Sequence, residues 1–203
     1  MNKISKLLKN RLALSTVITT LIILVVSVLL AGVVTSFAIN VVSTRVQEES
    51  LHVSKQHIWH NATASPGTIS YSQAAVMIIN TGGRDVVIDK ISVRGQESSW
   101  NDTETATNKL VLYSTTINSI SNDLYYVPNF NVTGSNDLMY DSSAYNFKVA
   151  SSDLVLKSGY TLLVYIVNPD SIAVNDVGLT IGISVYSSQA VYYIEANVEA
   201  VVM

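Results

Sequence analysis

Residues 12–44 contain no charged side chain; Lys3, Lys6, Lys9 and Arg11 stand before them and Arg45 after. No other feature constrains the fold as much. About 20 apolar residues cross a bilayer as a helix, so these 33 residues can span one and continue for several turns. Lipid offers backbone amides no partner, so the span must be helical. The basic cluster favours keeping the N-terminal end in the cytoplasm, which puts everything after Arg45 outside the cell. Ser36-Phe37-Ala38 imitates a signal cleavage site. The apolar run before it exceeds the roughly 7–15 residues of a secretory signal, so the segment reads as a retained anchor.

Small and polar residues are spaced regularly along this run. Ser27, Ala31 and Thr35 recur at every fourth position, and Gly32, Ser36 and Asn40 do so one residue later. Such spacing stacks small side chains on one side and lets a second helix approach and share hydrogen bonds. Gly, Ser and Thr are also common in a solitary anchor, so partnered and unpartnered helices both remain open.

Removing a helical section of about 60 residues leaves roughly 140, enough for one ordinary domain. The formal net charge of −3 hides an asymmetry: the first eleven residues carry four cations, and the remainder carries 8 basic against 15 acidic residues. An acidic exterior argues against nucleic acid as a partner, which needs a basic footprint. The chain has no cysteine and so no disulfide or thiol chemistry. With only 13% of residues charged, Ser, Thr and Asn must supply much of the surface solvation.

Residues 45–60 mix Gln, Glu and Lys with apolar residues, and no Gly or Pro interrupts them before Ser65-Pro66-Gly67. The membrane helix is therefore expected to continue to about Trp59 as a stalk, with the Trp59 ring partly buried at its end. All three histidines, His52, His57 and His60, fall in this stretch. His57 and His60 could share a helical face, but two ligands without a nearby carboxylate or thiolate point more to packing than to metal. No cofactor is expected.

After Pro66 the pattern has period two. Residues 69–80 and 84–94 read as strands joined by a Thr81-Gly82-Gly83 hairpin turn with glycines at positive φ. Val86 and Ile88 lie on one parity and Ile91 and Val93 on the other, which predicts a bulge near Asp89-Lys90. Residues 110–113, 124–127 and 145–149 are shorter candidate strands; 154–156, 160–168, 179–185 and 194–200 are the clearest. Seven or eight strands at this spacing predict an antiparallel sandwich. The expected class is α+β, a long N-terminal hydrophobic helix followed by an antiparallel immunoglobulin-like β-sandwich. Its parts are a basic leader at 1–11, a helix and stalk at 12–60 and an extracellular domain at 66–203.

Catalytic groups are scarce. A domain starting at residue 66 would hold neither His nor Cys, which excludes a Ser-His-Asp triad or a Cys-His pair within it. Asp137 with Asp141, and Asp170 with Asp176, are close in sequence but sit among turn-forming residues. No enzyme activity is expected. Asn61, Asn101 and Asn131 each open an Asn-x-Thr sequon in or beside a stretch read as loop, where a glycan could be carried. Of the 11 tyrosines, Tyr186, Tyr192 and Tyr193 are the candidates for exposure, although Tyr also fills strand cores.

Lys9-Asn10-Arg11 followed by the apolar run from Leu12 to Val26 resembles the class III signal and core helix of archaeal type IV pilins and archaellins. The likeness covers about the first 45 residues, and the β-rich remainder in general architecture only. This chain departs from the pattern in lacking a clear Gly or Ala before the cut and an acidic residue near the start of the mature helix. The resemblance implies cleavage at the Arg11–Leu12 or the Leu12–Ala13 bond with the helix retained. It also implies a prepilin peptidase, an assembly ATPase and a membrane platform protein as partners, and storage in the membrane before assembly. The expected function is a structural subunit of an extracellular type IV pilus-like or archaellum-like filament, a helical homopolymer for adhesion or motility. The alternative is a permanently anchored cell-surface binding module, such as an archaellum stator-like protein gripping the surface layer.

Overall fold

A computed structural model describes residues 3–66, 68–98, 100, 110–130, 136–169 and 172–201, with helix side chains described over 15–44. The chain divides into two compact units, Met1–Val46 and Gln47–Met203. The first is the helix α1, Lys3–Gln47. Its apolar residues go all the way round, the composition of a membrane span or a buried core rather than of an amphipathic surface helix. Every described side chain from residue 15 to 44 is exposed.

Among the described residues the second unit holds eleven strands. They are β1 (Leu51–Asn61), β2 (Ser72–Asn80), β3 (Val86–Val93), β4 (Gln96–Glu97), β5 (Leu110–Thr116) and β6 (Asn136–Tyr140), followed by β7 (Ser143–Val149), β8 (Leu154–Leu156), β9 (Thr161–Val167), β10 (Thr180–Ser187) and β11 (Val191–Val201). The expected stalk is thus corrected: the helix ends at Gln47 and residues 51–61 are a strand, so the β domain begins well before residue 66. β1 pairs antiparallel with β2 and parallel with β11. It is interrupted between Ser54 and His57, where Lys55 takes φ 52°. The irregularity changes which parity faces inward: Leu51 and Val53 before it, and Ile58 after it, pack on the same core. That shift hid the period of two, and ladders on both edges outweighed the helix propensity of Gln, Glu and Lys.

The strands form one sheet in the order β4-β3-β10-β11-β1-β2-β9-β5-β7-β6, with β8 beside β3. Its central run, β3-β10-β11 and then β1-β2-β9-β5, has the strand order of the two sheets of an immunoglobulin-like sandwich, joined through the parallel β1–β11 pair. The predicted bulge is present: Tyr186 pairs with Lys90 and Ser187 with Ile88, which leaves Asp89 as the extra residue. The predicted 81–83 hairpin is not. β2 and β3 do not pair; the segment crosses between the two halves of the sheet, and Gly82 is not at positive φ.

Two cores lie on opposite faces of β1-β2-β9-β5. One is packed from β2 (Ala74, Val76, Ile78), β9 (Leu162, Val164, Ile166) and the facing β3 and β10 (Ile88, Ile91, Ile183, Val185). The other is aromatic, with Trp59, Tyr165 and Phe147 under residues 117–130 and the β6–β7 hairpin. Trp59, expected at a stalk's end, is here nearly fully buried. Residues 124–127 are not the strand expected; they run irregularly, and Leu124, Val127 and Phe130 close this second core. Tyr165 lies at its centre, donating to the Tyr125 carbonyl at 2.7 Å and sharing a 2.5 Å hydrogen bond with the Tyr140 hydroxyl. Burial raises the pKa of both hydroxyls far above the ordinary phenol value, so they act as neutral structural groups.

A segment without a ladder needs other fastenings. The Lys55 ammonium donates to the carbonyls of Ile120, Ser121 and Asn122 at 2.8, 2.7 and 2.5 Å. The Asp141 carboxylate, at the tip of the β6–β7 hairpin, accepts the amides of Ser121 and Asn122. Gln73 exchanges two amide hydrogen bonds with the Val127 backbone. Lys55→Met should cost about 1–3 kcal/mol, the scale of hydrogen bonds to a charged group, and should speed hydrogen exchange over residues 120–127. Unchanged denaturation and exchange would show that the three carbonyls are equally well served by water.

Candidate functional site: the apolar helix and its mooring

The helix contains two different stripes. In the first, Ser27 donates to the Ile23 carbonyl and Thr35 to the Ala31 carbonyl, both at 2.7 Å. Thr19, Thr20 and Thr44 are likewise satisfied within the helix. These hydroxyls are compatible with lipid without any neighbour. In the second, Gly32, Ser36 and Asn40 line one shallow notch with Val28, Val33 and Phe37. A Cβ on Gly32 would meet nothing within 4 Å, so the notch is open to an approaching surface. The side chains of Ser36 and Asn40 make no hydrogen bond among the described residues, which leaves them available across an interface. Arg11, Leu12 and Ala13 belong to α1, but their side chains lie outside those described.

Where the chain leaves the helix it is fixed into the β domain at once. The Ser50 carbonyl accepts the amides of Thr81 and Gly82 at 2.9 and 3.1 Å. The Glu49 carboxylate accepts the hydroxyls of Ser187 and Tyr192, and Tyr192 in turn accepts the Leu51 amide. Gly82 is glycine because of close approach: a Cβ there would lie 2.7 Å from the Glu48 carbonyl oxygen and 2.9 Å from the Ser50 nitrogen. Behind the turn, buried Asn80 donates to the carbonyls of Arg84 and Leu156 and accepts the Gly82 amide. Residues 48–51 are therefore held between the 81–82 turn and the β10–β11 hairpin.

The three histidines are in the β domain, on β1, and no hydroxyl hydrogen-bonds to any of them among the described residues. His57 and His60 do not share a face. His57 stacks on Trp59 with ring centroids 5.1 Å apart, and its two nitrogens meet separate carboxylates, Asp123 at 3.0 Å and Glu199 at 3.2 Å. His60 points into the interior, 1% exposed, with its ring edge-on to Tyr71 and neither nitrogen hydrogen-bonded among the described residues. Burial lowers its pKa, opposed by the charge of Asp176.

The other candidates serve structure. Asp137 accepts the Asn146 amide, and Asp176 pairs with Arg94 at 2.8 Å; Asp170 lies outside the described residues. Asn61 closes β1 rather than standing in a loop. It is 1% exposed, and its amide oxygen accepts the amide and hydroxyl of Thr63, so a glycan there would require this local fold to open. Asn101 and Asn131 lie outside the described residues. Of the three tyrosines, Tyr192 is committed to the mooring, Tyr186 carries Lys90 over its ring and only Tyr193 is exposed, lying across Gly182. The notch, the mooring and the unpartnered His60 all depend on three-dimensional neighbours, and of these only the small-residue spacing was visible in sequence.

No family model matches the chain, and no curated protein is detectably similar to it. The N-terminal apolar helix suggests a signal sequence or membrane anchor. A 30-residue apolar helix followed by a large, mostly antiparallel sheet is consistent with a pilin-like architecture.

Two measurements check this geometry. Gly82→Ala should destabilise the β domain by about 1–3 kcal/mol, because backbone atoms must shift to admit the methyl group, and should open residues 47–50 to protease. Unaltered cleavage would show the mooring to be loose. His60 has a depressed folded pKa, so stability is fully present above its unfolded value near 6.5 and is lost as pH falls below it. The wild-type midpoint of denaturation should fall as the pH drops below about 6.5, and His60→Phe should flatten that slope. Equal slopes would mean that the imidazole finds a partner when protonated.

Proposed function

We propose that this protein is a structural subunit of an extracellular type IV pilus-like or archaellum-like filament. The helix forms the fibre core, the β domain forms the outer sheath, and the precursor is held in the membrane with its N-terminus in the cytoplasm. A length mismatch carries this reading. The apolar segment Ser15–Thr44 has 30 residues and is wholly unburied within the chain. It is about 45 Å long at the helical rise, against about 30 Å of hydrocarbon. Accommodating it by tilt alone needs about 48°, beyond the roughly 0–40° that membrane helices adopt. About ten residues of apolar helix thus need another cover, and identical helices packed side by side supply one.

The notch at Gly32 is where such helices would come closest, with Ser36 and Asn40 offering polar groups across the contact. Maturation by a prepilin peptidase at the Arg11–Leu12 or Leu12–Ala13 bond, and assembly by an ATPase and a membrane platform protein, follow from the family resemblance. The role is non-enzymatic in this reading, and self-association is the main partnership. A second reading, a permanently anchored binding module, is favoured by one observation: the internally satisfied hydroxyls of Ser27 and Thr35 make that stripe self-sufficient in lipid.

The two readings separate in cells. Gly32→Leu should remove filaments from sheared surface material while the protein still fractionates with membranes, because a leucine holds neighbouring backbones apart without opposing insertion. Normal filaments would show that the notch is not a packing face. A surface protein that retains Met1 and enters no filament would establish the anchored module instead.

A further inference from the structure

Strands β5 and β7 begin as neighbours and then separate. They pair at Leu112–Val149 and Tyr113–Lys148, and the Ala150 amide donates to the Val111 carbonyl at 2.8 Å. Beyond that point β5 pairs only with β9 and β7 only with β6. The result is a wedge of about 460 Å³ between two strand edges, within the size range of small-ligand sites. In an antiparallel ladder, successive residues turn their backbone groups to opposite sides. Val111 and Tyr113 face β7, so the amide and carbonyl of Thr115 face the wedge; from the other side Asn146 and Ala144 do the same.

We infer that this wedge binds a short acidic saccharide. Its side chains are hydroxyls and amides, including Ser114, Thr115, Asn118 and Ser143, and none of these four has a side-chain hydrogen bond among the described residues. This lining suits a ligand rich in hydroxyls, and the half-buried Tyr113 supplies aromatic surface for the C–H face of a sugar ring. The open edge of β5 extends only over Ser114–Thr116, about 10 Å, and presents the backbone of one residue, Thr115. That is too little for an added peptide strand, which draws its affinity from a continued ladder.

Charge selects the class of sugar. Lys148 is the one ionised side chain in the lining, and it makes no ion pair among the described residues. Among the described residues no carboxylate lines the wedge, although the sequence after residue 11 carries 15 acidic residues against 8 basic. Asp137 is held by the Asn146 amide at 2.7 Å. A ligand carboxylate would complete the ammonium's coordination with a charge-assisted hydrogen bond. This assignment goes beyond the filament reading and does not rest on it, because it concerns a site within the β domain alone.

The test is calorimetric titration of the full-length protein in detergent with trigalacturonate and, separately, with neutral maltotriose. Trigalacturonate should bind and maltotriose should bind at least about tenfold more weakly, the worth of one charged hydrogen bond. Lys148→Gln should erase that difference. Ala144→Trp, at an exposed position in the lining, should abolish both titrations while leaving the circular dichroism unchanged. Equal binding of the two sugars, no binding of either, or binding that survives Ala144→Trp would each overturn the assignment. Tighter binding of an alternating Thr-Glu hexapeptide would overturn it in favour of strand addition.

Discussion

The β2–β9 pair is the constraint from which the domain follows. The two strands run antiparallel over seven register pairs, and nearly every residue of both is buried. A strand that is apolar on both faces needs a layer on each side, so a simple two-layer sandwich would leave one face in water. β3, β10 and β11 cover the first face as regular strands. The second is covered by the β6–β7 hairpin and the irregular segment 117–130, which has few backbone ladders of its own. Charged and amide side chains therefore fasten it: Lys55 on three carbonyls, Asp141 on two amides and Gln73 on Val127.

What could be read from the sequence depended on whether a signal was local. Strand-length runs bounded by turn signals marked β2 and β9, and alternation marked β10 and β11. The change of parity between Ile88 and Ile91 disclosed a bulge at Asp89 before any neighbour was known. The same kind of change concealed β1, because the irregularity at Lys55 falls among Gln, Glu and Lys, residues that also suit a helix. β6 was hidden by its brevity and by Asn136 and Asp137, which look like turn residues. The glycines at 82 and 83 correctly signalled a change of direction. They could not say which strands would pair, since that is decided by contacts distant in sequence.

The same limit applies to the functional surfaces. Residues 12–44 announced a membrane-length helix by composition alone, and its small residues could be placed in two stripes by counting. Which stripe keeps its polar groups to itself depends on side-chain rotamers, and the structure assigns that role to Ser27 and Thr35. The wedge between β5 and β7 has no sequence signature at all. It exists because two strands stop pairing after Tyr113 and Lys148, and residues that look like ordinary strand polar positions then face each other across a gap.

The arrangement of β1 has a mechanical consequence. Its first residue follows directly on the moored segment 48–50, and its two edges are bonded to β2 and β11. A pull through residue 47 along the strand axis loads these two ladders in shear, so many hydrogen bonds must fail together. Peeling, in which bonds fail one at a time, would start only if the mooring at Glu49, Ser50 and Gly82 gave way first. The few polar contacts of residues 48–50 thus decide whether the ladders of β1 are loaded together or one bond at a time.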